Sequence, residues 1–103
     1  MYSDTNNFSC IYKIVNKINN NIYVGSCFKV KPRRNNHFKT LSNNKHPNRY
    51  LQRAYNKYGK ENFIFEIIER LEFPIDYDKI LIKEHLENRE QYYINSLNPK
   101  YNI

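Results

Sequence analysis

The sequence predicts a small α/β domain in which a three-stranded, antiparallel-type sheet is covered by helices, in the order β-β-α-α-β-α. Three observations lead there. Two short β-rich runs, Phe8–Val15 and Ile22–Cys27, flank the polar stretch Asn16–Asn21. A third β-rich run, Phe63–Glu69, follows only after two helix-compatible segments that each open at a proline. The longest helical periodicity, from about Tyr77 to Leu97, comes last. A small sheet must cover its apolar side, and returning helices supply the cover.

The elements follow in order. Residues 1–7 are mostly polar and read as a flexible lead-in. Phe8–Val15 is rich in aromatic and β-branched residues and partly alternating, as a strand is. Asn16–Asn21 has the composition of a hairpin loop and Ile22–Cys27 is the returning strand. A turn centred on Ile18 and Asn19 sets Tyr12 opposite Gly25 and Cys10 opposite Cys27, with Tyr23 diagonal to Tyr12 on the same face. Any even-length loop preserves that shared face and an odd one separates the tyrosines. Gly25 then leaves space opposite Tyr12, and a glycine within a strand often marks close approach of a ligand or backbone. Two ordinary strand tyrosines and a bulge glycine fit the same residues.

Pro32 opens a helix that runs to about Leu41. Arg33 and His37, four apart, project from one face as either a surface pair or part of a site. Arg34 points elsewhere, as a solvated charge or a phosphate contact. Ser42–His46 is a loop, and Pro47 begins a second helix with the stripe Leu51, Ala54, Tyr55 and Tyr58, closed by Gly59. Phe63–Glu69 is the third strand, and Pro74-Ile75-Asp76 leads into the last helix, which Asn98-Pro99 stops. On that helix Ile82, Leu86, Glu90, Tyr93 and Leu97 share one face. The carboxylate of Glu90 interrupts an otherwise apolar stripe and must find a cation, a donor or water. A buried salt bridge to an arginine and a metal ligand at the edge of the core both satisfy it. Lys83, Glu84, Glu87 and Asn88 lie off the stripe and read as solvated charges.

At 103 residues the chain is expected to be a single domain spanning 1–103. No stretch approaches the roughly 20 apolar residues of a membrane span. The first residues resemble no secretory signal and two cysteines make no disulfide scaffold, so the setting is expected to be intracellular, in a compartment left open. Seventeen Lys and Arg against ten Asp and Glu give +7, which suits a polyanionic partner because phosphate contacts release counterions. The same balance also serves solubility alone. The two cysteines and His37, His46 and His85 lack the paired spacing of a zinc site.

Taken together, Cys10-Ile11-Tyr12 and Tyr23-Val24-Gly25 resemble the paired signatures of the GIY-YIG nuclease family. The similarity continues through Arg33, His37-Phe38-Lys39, His46, the run Leu51–Gly59, Glu90 and Tyr101-Asn102, and so spans nearly all of Phe8 to Ile103. It is nearest the catalytic domain of homing endonucleases from phages, viruses and mobile introns. Cys10 departs from the glycine of the first signature and Val24 from the isoleucine of the second. The resemblance implies metal-dependent hydrolysis of DNA phosphodiester bonds, with Mg²⁺ (or Mn²⁺) held by Glu90. It gives Tyr12 the attacking water, as general base or positioner, and Arg33 the charge on the phosphate. Tyr23, His37 and His46 would orient water or phosphate, and Asn102 would brace the site. Arg34, Lys39 and Arg53 are the expected further DNA contacts. Homing relatives usually carry a linker and a DNA-reading domain after this point, so the sequence fits a minimal protein and an excised module equally. The competing expectations are a non-cleaving nucleic-acid-binding module of the same fold and an interaction domain whose basic face is incidental.

Overall fold

Two asparagines fold the hairpin. Asn16 Oδ1 accepts the Ile18 N–H at 3.0 Å and Asn19 Oδ1 accepts the Asn21 N–H at 2.9 Å, while Asn20 takes the left-handed conformation that asparagine tolerates. The computed structural model describes residues 7–102. The expected lead-in at residues 1–6 lies outside the described residues. The hairpin strands are β1 (Ser9–Asn16) and β2 (Ile22–Cys27). They pair in the expected register, Tyr12 opposite Gly25 and Cys10 opposite Cys27.

After α1 (Val30–Ser42), α2 (Arg49–Tyr58) and a short 3-10 turn at Lys60–Asn62, strand β3 (Phe63–Leu71) pairs antiparallel with the other side of β1. The sheet order is therefore β2-β1-β3, which makes β1 central and β2 an edge. Helix α3 (Lys79–Leu97) completes the β-β-α-α-β-α order. The central strand explains why Cys10, Ile11 and Tyr12 are all fully buried: consecutive side chains point to opposite faces, and both faces are covered. One core, from Cys10, Tyr12 and Ile14 through Val30, Leu41, Leu51 and Tyr55 to Phe63, lies on the α1/α2 side. The other has Ile11, Val24 and Leu86 as its fully buried members and lies under α3. A bulge in β3 opposite Ile11 and Tyr12 brings both Ile68 and Glu69 to the α3 side.

The prolines mark helix starts only approximately. Helix α1 begins at Val30, two residues before Pro32, which is tolerated because first-turn N–H groups have no helical partner. Helix α2 begins at Arg49, not Pro47, because Asn48 is the residue whose side chain accepts the Leu51 N–H. Asp78 caps α3 in the same way, so that helix starts at Lys79 rather than near Tyr77. The apolar stripe of α3 is also shallower than expected: Leu86 is buried but Leu97 is 44% exposed. Among the described residues no helix is long and apolar enough to cross a membrane.

Candidate active site

The site grows from the hydrogen-bonding needs of one buried phenol. Tyr12 is completely enclosed, with its ring stacked on Phe65 at 4.7 Å and its hydroxyl end lying over Gly25. The space expected beside Gly25 is thus filled by Tyr12 itself, and a Cβ at residue 25 would overlap the phenol. Tyr12 Oη bonds His37 Nε2 at 2.6 Å, and His37 Nδ1 bonds His46 Nε2 at 2.8 Å. His46 Nδ1 lies 3.0 Å from the backbone N of Asn48.

A backbone N–H can only donate, and that fixes the direction of the whole chain. His46 Nδ1 accepts, so its proton is on Nε2 and goes to His37 Nδ1. His37 therefore carries its proton on Nε2 and donates to the Tyr12 oxygen, whose own hydrogen must point away from His37. This assignment needs both imidazoles neutral. Burial, with His46 and Arg33 nearby, holds His37 down to about pKa 4, and burial also lowers His46. Burial and then Tyr23 push the Tyr12 phenol above its ordinary range, with Arg33 opposing them. Tyr23 shares this face and sets its ring edge-on to His37 (5.6 Å) and His46 (6.2 Å).

Glu90 approaches from the other side of the sheet. Side chains of β2 alternate, so Tyr23, Gly25 and Cys27 face α1 and α2 while Ile22, Val24 and Ser26 face α3. Ser26 Oγ donates to Glu90 Oε1 at 2.5 Å, and the Ser26 carbonyl accepts Arg33 Nη1 at 3.1 Å. Among the described residues no arginine pairs with Glu90; Arg89 instead binds Glu69 at 2.8 Å, joined by the Tyr93 hydroxyl. The cleft beside Glu90 is lined by Ser26, Arg33, Lys83 and Glu87. Lys83 and Glu87, which read as solvated charges, therefore face the site. A second cleft holds Tyr23, Arg33, His37 and His46. Arg33 lines both, so the site wraps around the free edge of β2 with the guanidinium at the seam.

That edge is closed by three different groups. Tyr101 N–H donates to the Ile22 carbonyl at 3.2 Å. Asn102 takes both outward groups of Val24, accepting its N–H and donating to its carbonyl at 2.7 Å each. Arg33 takes the Ser26 carbonyl. The Asn102 amide thus braces the strand between Tyr23 and Gly25.

The structure brings Tyr23, Arg33, His37, His46 and Glu90 together around the edge of β2, with Tyr12 enclosed beneath them on β1 and Asn102 bonded along that edge. Arg34 lies apart, in a groove with Phe8, Lys31 and Phe65, and Lys39 and Arg53 are exposed on α1 and α2. Sequence reasoning missed Ser26, Asn48 and Gln52. Buried Gln52 accepts the His46 N–H and donates to the Leu41 carbonyl, both at 3.0 Å, so it holds the His46 loop against α1. Its position beside the α2 stripe was the available signal, of the same kind that exposes Glu90.

The model of the GIY-YIG catalytic domain matches residues 8–102. The chain belongs to the GIY-YIG family. It is similar to an intron-associated endonuclease 1 of enterobacteria phage T4, 42% identical over 94 residues that cover 91% of this chain and 35% of the relative. A probable intron-encoded endonuclease 1 of Neurospora crassa is 39% identical over 88 residues, 85% of this chain and 27% of the relative. This GIY-YIG chain therefore spans about a third of the length of the curated relatives it matches. Among solved structures, the catalytic domain of the homing endonuclease I-TevI superposes with a TM-score of 0.73 at 39% identity, covering 91% of this chain and 92% of that one. A mutant of that domain gives 0.75 at 35% identity, covering 91% and 88%.

Proposed function

We propose that this chain is the catalytic module of a homing-type endonuclease, hydrolysing DNA phosphodiester bonds with a divalent cation, Mg²⁺ or Mn²⁺, at Glu90. One observation carries the reading: the Tyr23 phenol, the Arg33 guanidinium and the Glu90 carboxylate, from β2, α1 and α3, line two adjoining clefts that share Arg33. The basic balance of the chain and the endonuclease names of its relatives support DNA as the substrate.

The donor set fits such a cation. Among the described residues no three His, Cys, Asp or Glu side chains converge into a cage. Mg²⁺ keeps several waters and needs only one or two carboxylates, so Glu90 beside solvent suffices. When bound, the cation polarises the scissile phosphate and stabilises the leaving oxygen. Glu90, whose carboxylate already accepts the Ser26 hydroxyl, would hold it. Arg33 offsets charge on the phosphate as it becomes pentacovalent. The Tyr12 hydroxyl, aimed away from His37, is enclosed beneath the cleft of Tyr23, His37 and His46, and in the proposed reaction it positions the attacking water once it is reached from that cleft. His37 Nε2 already carries a proton and cannot take one from Tyr12. It can only donate, which stabilises negative charge on the Tyr12 oxygen if that oxygen serves as the base. Tyr23 and His46 keep His37 in place, and Lys83 offers a phosphate contact in the Glu90 cleft. Arg34, Lys39 and Arg53 lie outside the clefts and serve the outlying backbone. The low cysteine content suits an intracellular setting.

The test is incubation of supercoiled plasmid with the chain and Mg²⁺ or Mn²⁺. Nicked circles should form, disappear with chelator and be absent with Glu90→Ala, while gel-shift binding persists. Binding without any nick in either metal would make this a non-cleaving module. Binding to unrelated duplexes should be similar and steeply salt-dependent, with dissociation constants around 10⁻⁴ to 10⁻⁶ M at physiological salt.

A further inference from the structure

We infer that Ser26 is the positioning residue that couples the two halves of the site: its hydroxyl holds the Glu90 carboxylate ready for a divalent cation, and its carbonyl holds Arg33 beside it. The inference rests on the reading that Glu90 binds the cation, and goes beyond it in naming what orders Glu90.

Ser26 is the polar member of the β2 face formed by Ile22, Val24 and Ser26, so it is the point where that strand can hydrogen-bond to α3. Its Oγ is 2.5 Å from Glu90 Oε1 at the margin of the apolar cluster of Ile11, Val24 and Leu86, where water competes less for the bond. A carboxylate offers about four lone-pair sites, and this bond uses one. The remaining sites face the cleft shared with Arg33 and Lys83. Without the hydroxyl the flexible Glu90 side chain must be ordered each time a cation binds.

The carbonyl of the same residue supplies the second half. Arg33 Nη1 is held at 3.1 Å from it. Among the described residues no ion pair joins Arg33 to Glu90. A direct pair would neutralise the carboxylate that the cation needs. Ser26 keeps the opposite charges adjacent and separate, one on each of its polar groups, so both remain available to a phosphate and its counterion.

Hydrogen-bond partners of metal-ligating groups typically contribute about 10- to 100-fold in metal affinity or activity. The test uses Ser26→Thr and Ser26→Val, which have nearly the same shape, both suit a strand and differ in the hydroxyl. Mn²⁺ binding to the DNA-free chain is followed by electron paramagnetic resonance, and plasmid nicking is titrated with metal. Ser26→Val should raise the half-saturating Mn²⁺ concentration at least about tenfold in both measurements. The Ser26→Thr chain should stay near wild type, and the two variants should melt within a few degrees of each other. Equal metal dependence of the two variants, whether both normal or both impaired, overturns the assignment, because the hydroxyl would then not matter. A Glu90→Gln chain run alongside separates the failures. If it binds Mn²⁺ and nicks normally, the metal reading falls; if it does neither and Ser26→Val matches Ser26→Thr, only the role of Ser26 falls.

Discussion

The two faces of the sheet are built for different chemistry. Beneath the α1/α2 face Tyr12, His37 and His46 are buried, uncharged and bonded in a single directed chain that ends on the Asn48 backbone N–H. On the α3 face the groups are charged and wet: Glu90, Lys83 and Glu87 line an open cleft, and Arg89 meets Glu69 where both are partly exposed. Burial penalises charge far more than it penalises a satisfied hydrogen bond. A phenol can therefore be fixed in a dry core, while a charged carboxylate such as Glu90 stays near water. The faces meet at the edge of β2, where Arg33 lines the clefts on both sides.

The largest test of that division is Glu90→Gln, which keeps shape and removes charge. Cleavage should fall by roughly 10³-fold, several kcal/mol of transition-state stabilisation, with the melting temperature almost unchanged. Tyr12→Phe on the dry face should behave differently. It should lose roughly 10²-fold in cleavage, within the usual contribution of a positioned acid or base. It should also destabilise the fold by about 1–3 kcal/mol, because the buried His37 N–H is left without an acceptor. A Tyr12→Phe chain as stable as wild type would break the assigned direction of the chain of bonds.

Acid should find the dry face first. His37 is surrounded by Tyr12, Tyr23, His46 and Arg33 and stays neutral down to about pH 4, whereas an unfolded histidine protonates near pH 6.5. Between those values the unfolded chain binds the extra proton. This contribution is therefore intact above about pH 6.5, shrinks as the pH falls and is exhausted near pH 4. It amounts to about 3 kcal/mol over the window. Denaturation midpoints measured from pH 7 to pH 4 should show it, and His37→Gln should flatten most of the slope. The smallest effect belongs to the wet face: Glu69→Gln, which weakens the partly exposed pair with Arg89, should cost less than about 1 kcal/mol and less still in high salt. A larger loss there would mean that the α3 face is more rigid than its exposure implies.

These contrasts also explain what could be read from the chain of letters. The hairpin register was legible because strand alternation and an even loop leave one solution for Tyr12, Tyr23 and Gly25. Glu90 was legible as a charge within an apolar stripe. Helix starts were displaced because Pro32 and Pro47 are conspicuous, while the caps that set those boundaries depend on side-chain bonds such as that of Asn48 to Leu51. Ser26, Lys83 and Glu87 were not legible as site residues. Their roles depend on where α3 lands relative to β2, a tertiary fact that local spacing does not contain. The packing of α3 on the sheet face opposite α1 and α2 likewise puts Glu90 and Tyr12 on opposite faces, which a list of site residues cannot show.

The brace at the β2 edge has a consequence for the order of events in the cell. The hairpin is synthesised before Asn102, which fastens Val24 between Tyr23 and Gly25 from 78 residues further along the chain. Translation at about 5–20 residues per second separates the two by roughly 4–15 s. During that interval the strand that carries the second signature has an open edge, and α3 with Glu90 has yet to be completed. The nascent chain thus holds its tyrosines before it holds the brace and Glu90, so the candidate site is assembled only once synthesis has reached Asn102.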